Sequence, residues 1–197
     1  MNQIVVQFDM DDVLADWTEA FTALANSLWP GCTPQHQATT IPYYATREHF
    51  TDPALFDKTW EYLLQTPHWW TSLHQLVFGD EFARIAYLAR QVPVYFVTNR
   101  WHYTSPANLQ TTEWLRLHRV PNASVICTRE KGQAAYLLRT THSIEDKWEN
   151  AKDIRDNMLP TSKSYLINRM HNGGRPYCPE LRVGTVAEFL TAVEKEL

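Results

Sequence analysis

The chain of 197 residues is 44% hydrophobic and 20% charged, which is the composition of an ordinary folded globular protein. Its formal net charge of −4 gives no general attraction for a phosphate backbone, so a long nucleic acid is not expected as a partner. No apolar run approaches the ~20 residues of a membrane span, and Asp9 interrupts the apolar core that a signal peptide would need. Cys32, Cys127 and Cys178 are odd in number and widely spaced, so we expect free thiols in a reducing, cytoplasmic compartment.

The first part of the chain combines one strand with a long helical segment. Residues 3–8 are rich in β-branched and aromatic side chains and predict a buried strand, which ends at Asp9, Asp11 and Asp12. The following elements are predicted by periodicity and by turn residues: a helix over 15–29, a loop over 30–46 and a helix over 47–65. Because this stretch contains no convincing strand, we interpret it as a helical insertion after the first strand.

From residue 79 onward, strands alternate with helices. The predicted strands are residues 93–97, 124–127, 142–144 and 164–168. The predicted helices are residues 79–91, 107–119 and 131–139, one that begins near residue 149, and a closing helix over residues 186–197. This alternation predicts an α/β fold, a Rossmann-like parallel sheet flanked by helices with a small helical cap inserted after the first strand. We expect residues 1–16 and 75–197 to form the core and 17–74 the cap.

Polar side chains stand at the ends of four of these strands. The four groups are Asp9 with Asp11, Thr98 with Asn99, Thr128 with Lys131, and Glu145 with Asp146. The carboxyl ends of parallel strands share one edge of a sheet, so these groups can converge. Carboxylates, a hydroxyl and a lysine together suit phosphoryl transfer, in which one carboxylate attacks phosphorus and cationic groups neutralise the phosphate. Ligands that are all oxygen favour Mg²⁺ over zinc.

These residues match known motifs. The segment 9–16 (Asp-Met-Asp-Asp-Val-Leu-Ala-Asp) closely resembles the first motif of the haloacid dehalogenase-like phosphatases. Val97-Thr98 is similar to their second motif, Lys131 to the third and Ile144-Glu145-Asp146 to the fourth. The resemblance is closer to the 5′(3′)-deoxyribonucleotidases, through residues 13–17, an aromatic pair before the second strand and Thr-Arg-Glu-Lys at 128–131.

The resemblance assigns roles to individual residues. It implies that Asp9 is the nucleophile and forms an aspartyl-phosphate, and that Asp11 protonates the leaving oxygen and then activates water. It also implies phosphate contacts by Thr98, Asn99 and Lys131, and an Mg²⁺ site formed by Asp9, Asp11 through its backbone carbonyl, and Asp146. The expected reaction is hydrolysis of (deoxy)ribonucleoside monophosphates. The expected partner is a small nucleotide, and a homodimer is compatible with the sequence.

Two positions depart from the family pattern. Asp12 stands where glycine is usual; aspartate tolerates turn conformations better than most residues, so the loop can survive, while its charge can perturb neighbouring pKa values. The fourth motif more often reads Asp-Asp, whereas this chain has Glu145-Asp146. Asp146 therefore keeps its expected role as metal ligand, and the role of Glu145 is left open.

Aromatic residues are concentrated in the predicted cap. Stacking of a base on an aromatic ring is worth about 1–3 kcal/mol, enough to favour nucleotides over sugar phosphates. By resemblance, the substrate-binding rings are Trp17, Tyr43, Tyr44, Trp69 and Trp70. Trp17 and Tyr44 rank highest among the aromatic residues of the cap, and Trp60 ranks lowest. Each of the pairs at 43–44 and 69–70 is equally compatible with a place in the core of the cap.

Other interpretations fit parts of the pattern. A calcium loop of the EF-hand type fails, because Leu14 and Ala20 stand where glycine and glutamate are required. Taken alone, Thr98 and Asp146 would suit helix caps, and Lys131 would suit the surface. The substrate alternatives are a sugar phosphate, a modified nucleotide or the 3′-phosphate end of a polynucleotide. A non-catalytic nucleotide-binding module is a further alternative.

Overall fold

The computed structural model describes residues 3–33, 47–100, 106–173, 177–178 and 181–197. These residues form a six-stranded sheet in the order β3-β2-β1-β4-β5-β6, in which every neighbouring pair is parallel. The strands are β1 (Val6–Phe8), β2 (Val94–Thr98), β3 (Ser124–Cys127), β4 (His142–Glu145), β5 (Lys163–Ile167) and β6 (Arg182–Val183). The predicted α/β class with a parallel sheet is confirmed.

Helices connect the strands. They are α1 (Trp17–Leu28), α2 (Pro53–Gln65), α3 (Glu81–Leu88), α4 (Ala107–Leu117), α5 (Lys131–Leu138), α6 (Trp148–Asn157) and α7 (Val186–Glu194). Local chemistry explains two of the starts: the Asp16 carboxylate accepts a hydrogen bond from Glu19 N, and the Asp52 carboxylate caps α2, which has Pro53 at its first position. No helix in the described part of the chain is long and apolar enough to cross a membrane.

The core is centred on β1, whose three residues are buried on both faces. The ring of Phe8 packs against Phe96 of β2, with ring centroids 5.7 Å apart, and against Phe189 of α7, with centroids 5.3 Å apart. Burial on both faces of a parallel strand accounts for the continuous apolar sequence of β1.

The register of the sheet brings the strand ends together. Phe8 pairs with Phe96 of β2 and with Ile144 of β4, so Asp9 leaves the sheet at the same level as the ends of its two neighbours. Asp9 N also donates a hydrogen bond to the Ile144 carbonyl over 3.1 Å. The edge formed by these strand ends is therefore the place where the predicted site residues can meet.

The two ends of the inserted segment lie side by side. Asp16 N donates to the His74 carbonyl over 2.9 Å, and Leu76 N donates to the Leu14 carbonyl over 2.8 Å. Within this segment, residues 17–33 and 47–74 contain helices and 3₁₀ turns but no strand. The exact division into a core of 1–16 and 75–197 and a cap of 17–74 stays a prediction.

Several details differ from the expectations. The helix predicted over 47–65 is a 3₁₀ turn at Arg47–His49 followed by α2, which begins only at Pro53. The strand β6 was missed because it has only two residues, too few for an alternation of polar and apolar side chains to show. The strand β4 runs to Glu145, one residue beyond its predicted end, because Glu145 is fully buried beside β5 instead of turning into solvent.

Candidate active site

The loop after β1 is a tight turn. Leu14 N and Ala15 N both donate to the Met10 carbonyl over 2.9 Å, and Asp12 N donates to the Ala15 carbonyl over 2.7 Å. Asp12 has a φ of +59°, in the left-handed region that glycine adopts without strain. The family's preference for glycine at this position therefore has a backbone cause, and aspartate is among the residues that tolerate it.

The side chain of Asp12 turns inward and joins the loop to α1. One carboxylate oxygen accepts from Thr18 N over 3.0 Å, and the other accepts from the Thr18 hydroxyl. The Asp12 carbonyl accepts from Arg169 Nε over 2.6 Å. Burial and the nearby Asp146 raise the pKa of Asp12 to about 7. Asp12 thus anchors the start of α1 while carrying a strongly perturbed carboxyl group.

Lys131, the first residue of α5, is buried between two carboxylates. Its Nζ lies 2.8 Å from Asp9 Oδ2 and 2.9 Å from each oxygen of Glu145. Burial alone would lower the pKa of Lys131, but the two carboxylates outweigh it and raise that pKa. The interpretation of Lys131 as a surface lysine is excluded, because only 2% of the residue is exposed.

Asp146 follows β4 and is held by the segment after β5. Its Oδ2 lies 2.8 Å from His171 Nε2, and its carbonyl accepts from Asn172 Nδ2 over 2.7 Å. Burial raises the pKa of Asp146, but the contact with His171 and the charges of Lys147 and Lys131 together outweigh it and lower that pKa. Asp146 does not cap α6, since Lys147 occupies the capping position.

Three buried carboxylates are close enough to share a cation. One oxygen each from Asp9, Glu145 and Asp146 lies within 4.8 Å of the others. Burial, opposed by Lys131 and reinforced by Asp146 and Asp11, raises the pKa of Asp9 to about 6. Burial and Asp9 also raise the pKa of Glu145. Lys131 balances only one of the three negative charges, so a divalent cation bound to these oxygens fits the charge and the donor chemistry.

The carboxylate of Asp11 lies outside this cluster. It forms an ion pair with Arg100, with Nη2 and Oδ1 2.6 Å apart, and it accepts from the Thr98 hydroxyl over 3.3 Å. The predicted metal contact of Asp11 uses its backbone carbonyl, so this side-chain position is compatible with it. The side chain of Asp11 therefore has different partners from the carboxylates of Asp9, Glu145 and Asp146.

These groups open into a cavity of about 250 Å³. Its polar wall contains carboxylates, two amides and two amines, and its apolar wall contains three tryptophans. The lining residues are Asp9, Asp11, Asp12, Trp17, Trp60, Trp70, Asn99, Lys131, Asp146, Lys147 and Asn150. A small phosphate ester with an aromatic substituent matches this division of the walls.

A family comparison agrees with this geometry. The model of the family described as 5′ nucleotidase, deoxy (pyrimidine), cytosolic type C protein (NT5C) matches residues 2–173. The chain belongs to this family. It is therefore a phosphoric monoester hydrolase of the 5′-nucleotidase type, and the matched region contains every residue of the site described above.

Solved structures with the same fold are haloacid dehalogenase-like hydrolases. A hydrolase of this kind from Burkholderia xenovorans LB400 is 11% identical, with a TM-score of 0.64 over 99% of this chain and 98% of that one. The hydrolase YfnB of Bacillus subtilis, solved with magnesium, is 16% identical, with a TM-score of 0.59 over 98% and 99%. A Deinococcus radiodurans R1 hydrolase, solved with phosphate and sodium, is 16% identical, with a TM-score of 0.56 over 98% and 96%. No curated protein sequence matches the chain.

Most of the polar residues predicted for this nucleotidase lie together. Asp9, Asp11, Asn99, Lys131 and Asp146 all line the cavity. Thr98 is fully buried behind them, and its hydroxyl contacts Asp11. Their predicted roles stay predictions, because these distances show proximity and not chemistry.

The aromatic predictions divide into three groups. Trp17 and Trp70 line the cavity, whereas Trp69 is not among its described lining residues. Tyr43 and Tyr44 lie outside the described residues. Trp60, which the sequence ranked lowest, lines the cavity and packs 5.6 Å from Trp17 between ring centroids.

Sequence reasoning left open only a phosphate contact for Arg100, and it ranked Trp60 lowest. It did not single out His171 and Asn172, which contact Asp146, or Lys147 and Asn150, which line the cavity. Arg100 had a usable signal, because it stands two residues beyond the end of β2, at the same sheet edge. The pair at 171–172 follows β5 in the same way. A strand-end position alone is a weak indication, and only the contacts with Asp11 and Asp146 make these residues part of the site.

Proposed function

We propose that this nucleotidase is an Mg²⁺-dependent phosphatase that hydrolyses (deoxy)ribonucleoside monophosphates in the cytoplasm through a phosphorylated Asp9. The observation that carries the proposal is the position of the Asp9 carboxylate. It lies 2.8 Å from Lys131 Nζ, it belongs to the three-carboxylate cluster, and it faces a cavity with a tryptophan wall. The proposed nucleophile Asp9, the ammonium group of Lys131 and the aromatic surface therefore adjoin one another.

The first half of the reaction transfers the phosphoryl group to the enzyme. A carboxylate oxygen of Asp9 forms a bond to phosphorus, and the bond from phosphorus to the sugar oxygen breaks. The leaving oxygen takes a proton from the carboxyl group of Asp11. Lys131, whose Nζ is 2.8 Å from Asp9 Oδ2, donates a hydrogen bond to a phosphoryl oxygen and neutralises part of its charge.

The second half releases phosphate. Asp11, now a carboxylate, takes a proton from water, and the water oxygen bonds to phosphorus. The bond between phosphorus and Asp9 breaks, so the Asp9 carboxylate is restored and Asp11 ends protonated. Arg100 and Thr98 hold the Asp11 carboxylate during both proton transfers.

Mg²⁺ would be held by Asp9 and Asp146, with the carbonyl of Asp11 as a further ligand and Glu145 within reach. When bound, it supplies positive charge that lets an anionic carboxylate approach an anionic phosphate. Phosphate esters and carboxylates repel each other strongly, and Lys131 alone cannot offset the cluster's excess negative charge.

The tryptophan wall supports a nucleoside as the leaving group. Trp17 and Trp60 have centroids 5.6 Å apart, and Trp60 and Trp70 have centroids 6.3 Å apart, so the three rings form one continuous surface. This surface is where a base would stack, which favours a nucleoside over a bare sugar as the leaving group.

The test is a substrate panel in Mg²⁺ and in EDTA with purified wild type and Asp9→Asn. We expect wild type to release phosphate from deoxyribonucleoside monophosphates faster than from ribose 5-phosphate. Stacking worth about 1–3 kcal/mol corresponds to roughly a 5- to 150-fold advantage in kcat/KM. Asp9→Asn should fold and lose essentially all activity. Hydrolysis by Asp9→Asn at a rate near that of wild type would exclude the mechanism, and equal rates on both substrates would exclude base recognition.

A further inference from the structure

Arg100 is the most completely buried charged contact of Asp11. Its side chain is 0% exposed, and its Nε lies 3.0 Å from Asp11 Oδ1 and 3.2 Å from Oδ2. Its Nη2 lies 2.6 Å from Oδ1. The planar guanidinium therefore contacts the carboxylate through two of its nitrogens, a geometry that fixes orientation as well as distance.

The far side of the guanidinium is held equally firmly. Arg100 Nη1 donates to the Thr111 hydroxyl over 2.8 Å, and that hydroxyl donates to the Ala107 carbonyl over 2.6 Å within α4. The guanidinium carbon lies 4.6 Å from the ring centre of Trp70. The backbone of Trp70 is also held in place, because Trp70 N donates a hydrogen bond to Gln110 Oε1 over 3.0 Å. Arg100 is thus fixed by α4 and by the 3₁₀ turn that carries Trp70.

These contacts exclude Arg100 as a direct phosphate ligand in this arrangement. It does not line the cavity, and its Nε, Nη1 and Nη2 all donate to Asp11 or Thr111. To reach a substrate it would have to leave Asp11. That movement would break all of its contacts with the Asp11 carboxylate and leave a buried guanidinium without its counter-charge.

We propose that Arg100 is a positioning residue, which holds the Asp11 carboxylate in the orientation needed for both proton transfers and links that orientation to Trp70 in the wall of the substrate cavity. The inference rests on the proposed function, because it assigns Arg100 a task in that reaction. Arg100 touches neither phosphate nor leaving group. Its effect passes through Asp11 alone.

The two proton transfers give the proposal a distinctive signature. A nucleoside is a poor leaving group and needs a proton from Asp11 as the bond to phosphorus breaks. The anion of p-nitrophenol is stable and leaves without one. Release of phosphate from Asp9 needs Asp11 as a base whichever substrate was used. A misplaced Asp11 therefore slows the first half-reaction only for the nucleotide and the second half-reaction for both substrates.

The experiment compares wild type, Arg100→Lys and Arg84→Lys by rapid-quench kinetics with a deoxyribonucleoside monophosphate and with p-nitrophenyl phosphate. Lysine keeps the positive charge and removes the two-nitrogen contact. Arg84 is the matched control, since it pairs with Glu194 over 2.7 Å between α3 and α7, in a part of the protein that does not line the cavity. Asp11→Asn provides the reference pattern for complete loss of proton transfer.

For Arg100→Lys we expect release of the nucleoside in the first turnover to slow by about 10- to 100-fold, less than the roughly 100- to 10,000-fold that complete loss of general acid catalysis would cost, because Asp11 is misplaced and not removed. First-turnover release of p-nitrophenol should change by less than about 3-fold, and phosphorylated enzyme should accumulate with that substrate. The Kd of each substrate, taken from the concentration dependence of the first turnover, should stay within about 2-fold, since Arg100 binds neither substrate. Arg84→Lys should match wild type.

The proposal is overturned if the first turnover slows equally with both substrates, if the Kd alone changes, or if the kinetics equal those of wild type. If Arg100→Lys does not fold, Thr111→Val carries the test. It removes the anchor behind Arg100 and should show the same substrate pattern with a smaller loss, and equal slowing there overturns the proposal as well. A wild-type enzyme that releases no product from either substrate would instead refute the proposed function.

Discussion

At the scale of single residues, Asp12 shows how a motif can depart from its family and keep its shape. Its φ of +59° is unfavourable for a residue with a Cβ, and a glycine would avoid that strain. The two hydrogen bonds from Thr18 compensate, because they tie the side chain to the start of α1. The sequence allowed the prediction that aspartate could adopt this turn, but the partner at Thr18 depends on where α1 begins.

Arg100 and Asp11 mark the limit of prediction from sequence at this scale. They are 89 positions apart, and their contact exists only because β1 and β2 are neighbours. The sequence predicted that both strands end at one edge, and it placed Asp11 in the site. It could not predict which strands adjoin, and the direction of a long side chain depends on packing around it. Motif matching therefore does not predict side-chain contacts of this kind.

His142 gives a prediction about pH. It is buried at the start of β4, with Nε2 3.3 Å from Glu196 Oε2, and burial outweighs Glu196 and lowers its pKa. The folded protein therefore binds fewer protons than the unfolded chain, whose histidine titrates near pH 6.5. Stability is fully present above about pH 6.5 and is lost as pH falls toward the lowered value. Urea unfolding at pH 7.5 and pH 5.5 should show a smaller loss of unfolding free energy in His142→Gln than in wild type. An equal loss in both would show that other groups cause the acid sensitivity.

At the scale of elements, the sequence predicted strands and helices where apolar periodicity was strong. The buried strands β1, β2 and β5 were predicted with small errors, because parallel strands covered on both faces have nearly continuous apolar sequences. The order of the strands was not predicted. It depends on which helix covers which face, and that is decided by packing between elements far apart in sequence.

The junction of α5 and α6 offers a test of such packing. Gly132 follows Lys131, and a Cβ at this position would lie 2.5 Å from Asp153 Oδ2 and 2.7 Å from Asn157 Nδ2. Gly132 N also donates to Asp153 Oδ2 over 2.8 Å. We expect Gly132→Ala to lower the free energy of unfolding by about 1–2 kcal/mol, because the alanine disrupts this hydrogen bond and overpacks the junction.

A double-mutant cycle with Asp153→Ala isolates the cause. Once the Asp153 side chain is shortened, the main obstacle is gone, and alanine is favoured over glycine in a helix by up to about 1 kcal/mol. Gly132→Ala should then be neutral or stabilising in the Asp153→Ala background, as measured by urea unfolding. A destabilisation of the same size in both backgrounds would indicate strain in the backbone of α5 and no clash with α6.

At the scale of the whole molecule, the cavity is lined both by residues at the strand ends and by residues of the inserted segment. Core residues supply the carboxylates and Lys131, and the inserted segment supplies Trp60 and Trp70. The sequence ranked Trp60 lowest among the aromatic residues of the cap, and Trp60 belongs to a helical pattern of apolar residues that indicates packing. The structure shows that one ring does both, since Trp60 packs against Phe21 and lines the cavity. In a small cap, one residue can belong both to the hydrophobic core and to the wall of the cavity, so hydrophobic periodicity cannot distinguish the two roles.

The charge of the site predicts that the stability of the whole fold depends on a cation. Asp9, Glu145 and Asp146 are buried together, and Lys131 balances only one of them. A cation that binds the folded state alone stabilises it by about 2.7 kcal/mol at a concentration 100 times its Kd. For a protein of this size that corresponds to a rise in Tm of roughly 5–10 °C. Thermal unfolding of wild type should show this rise with MgCl₂ relative to EDTA and not with NaCl of equal ionic strength.

Asp146→Asn should lose most of the rise, because it removes one charge and one ligand from the cluster. Asp156→Asn is its matched control. Asp156 is an exposed carboxylate of α6 that pairs with Lys152, outside the cluster, so its loss should leave the response to MgCl₂ intact. A rise of equal size in Asp146→Asn and wild type would place the bound cation elsewhere. No rise in wild type would mean that the buried charges are balanced by protonation, as the raised pKa values of Asp9 and Glu145 allow.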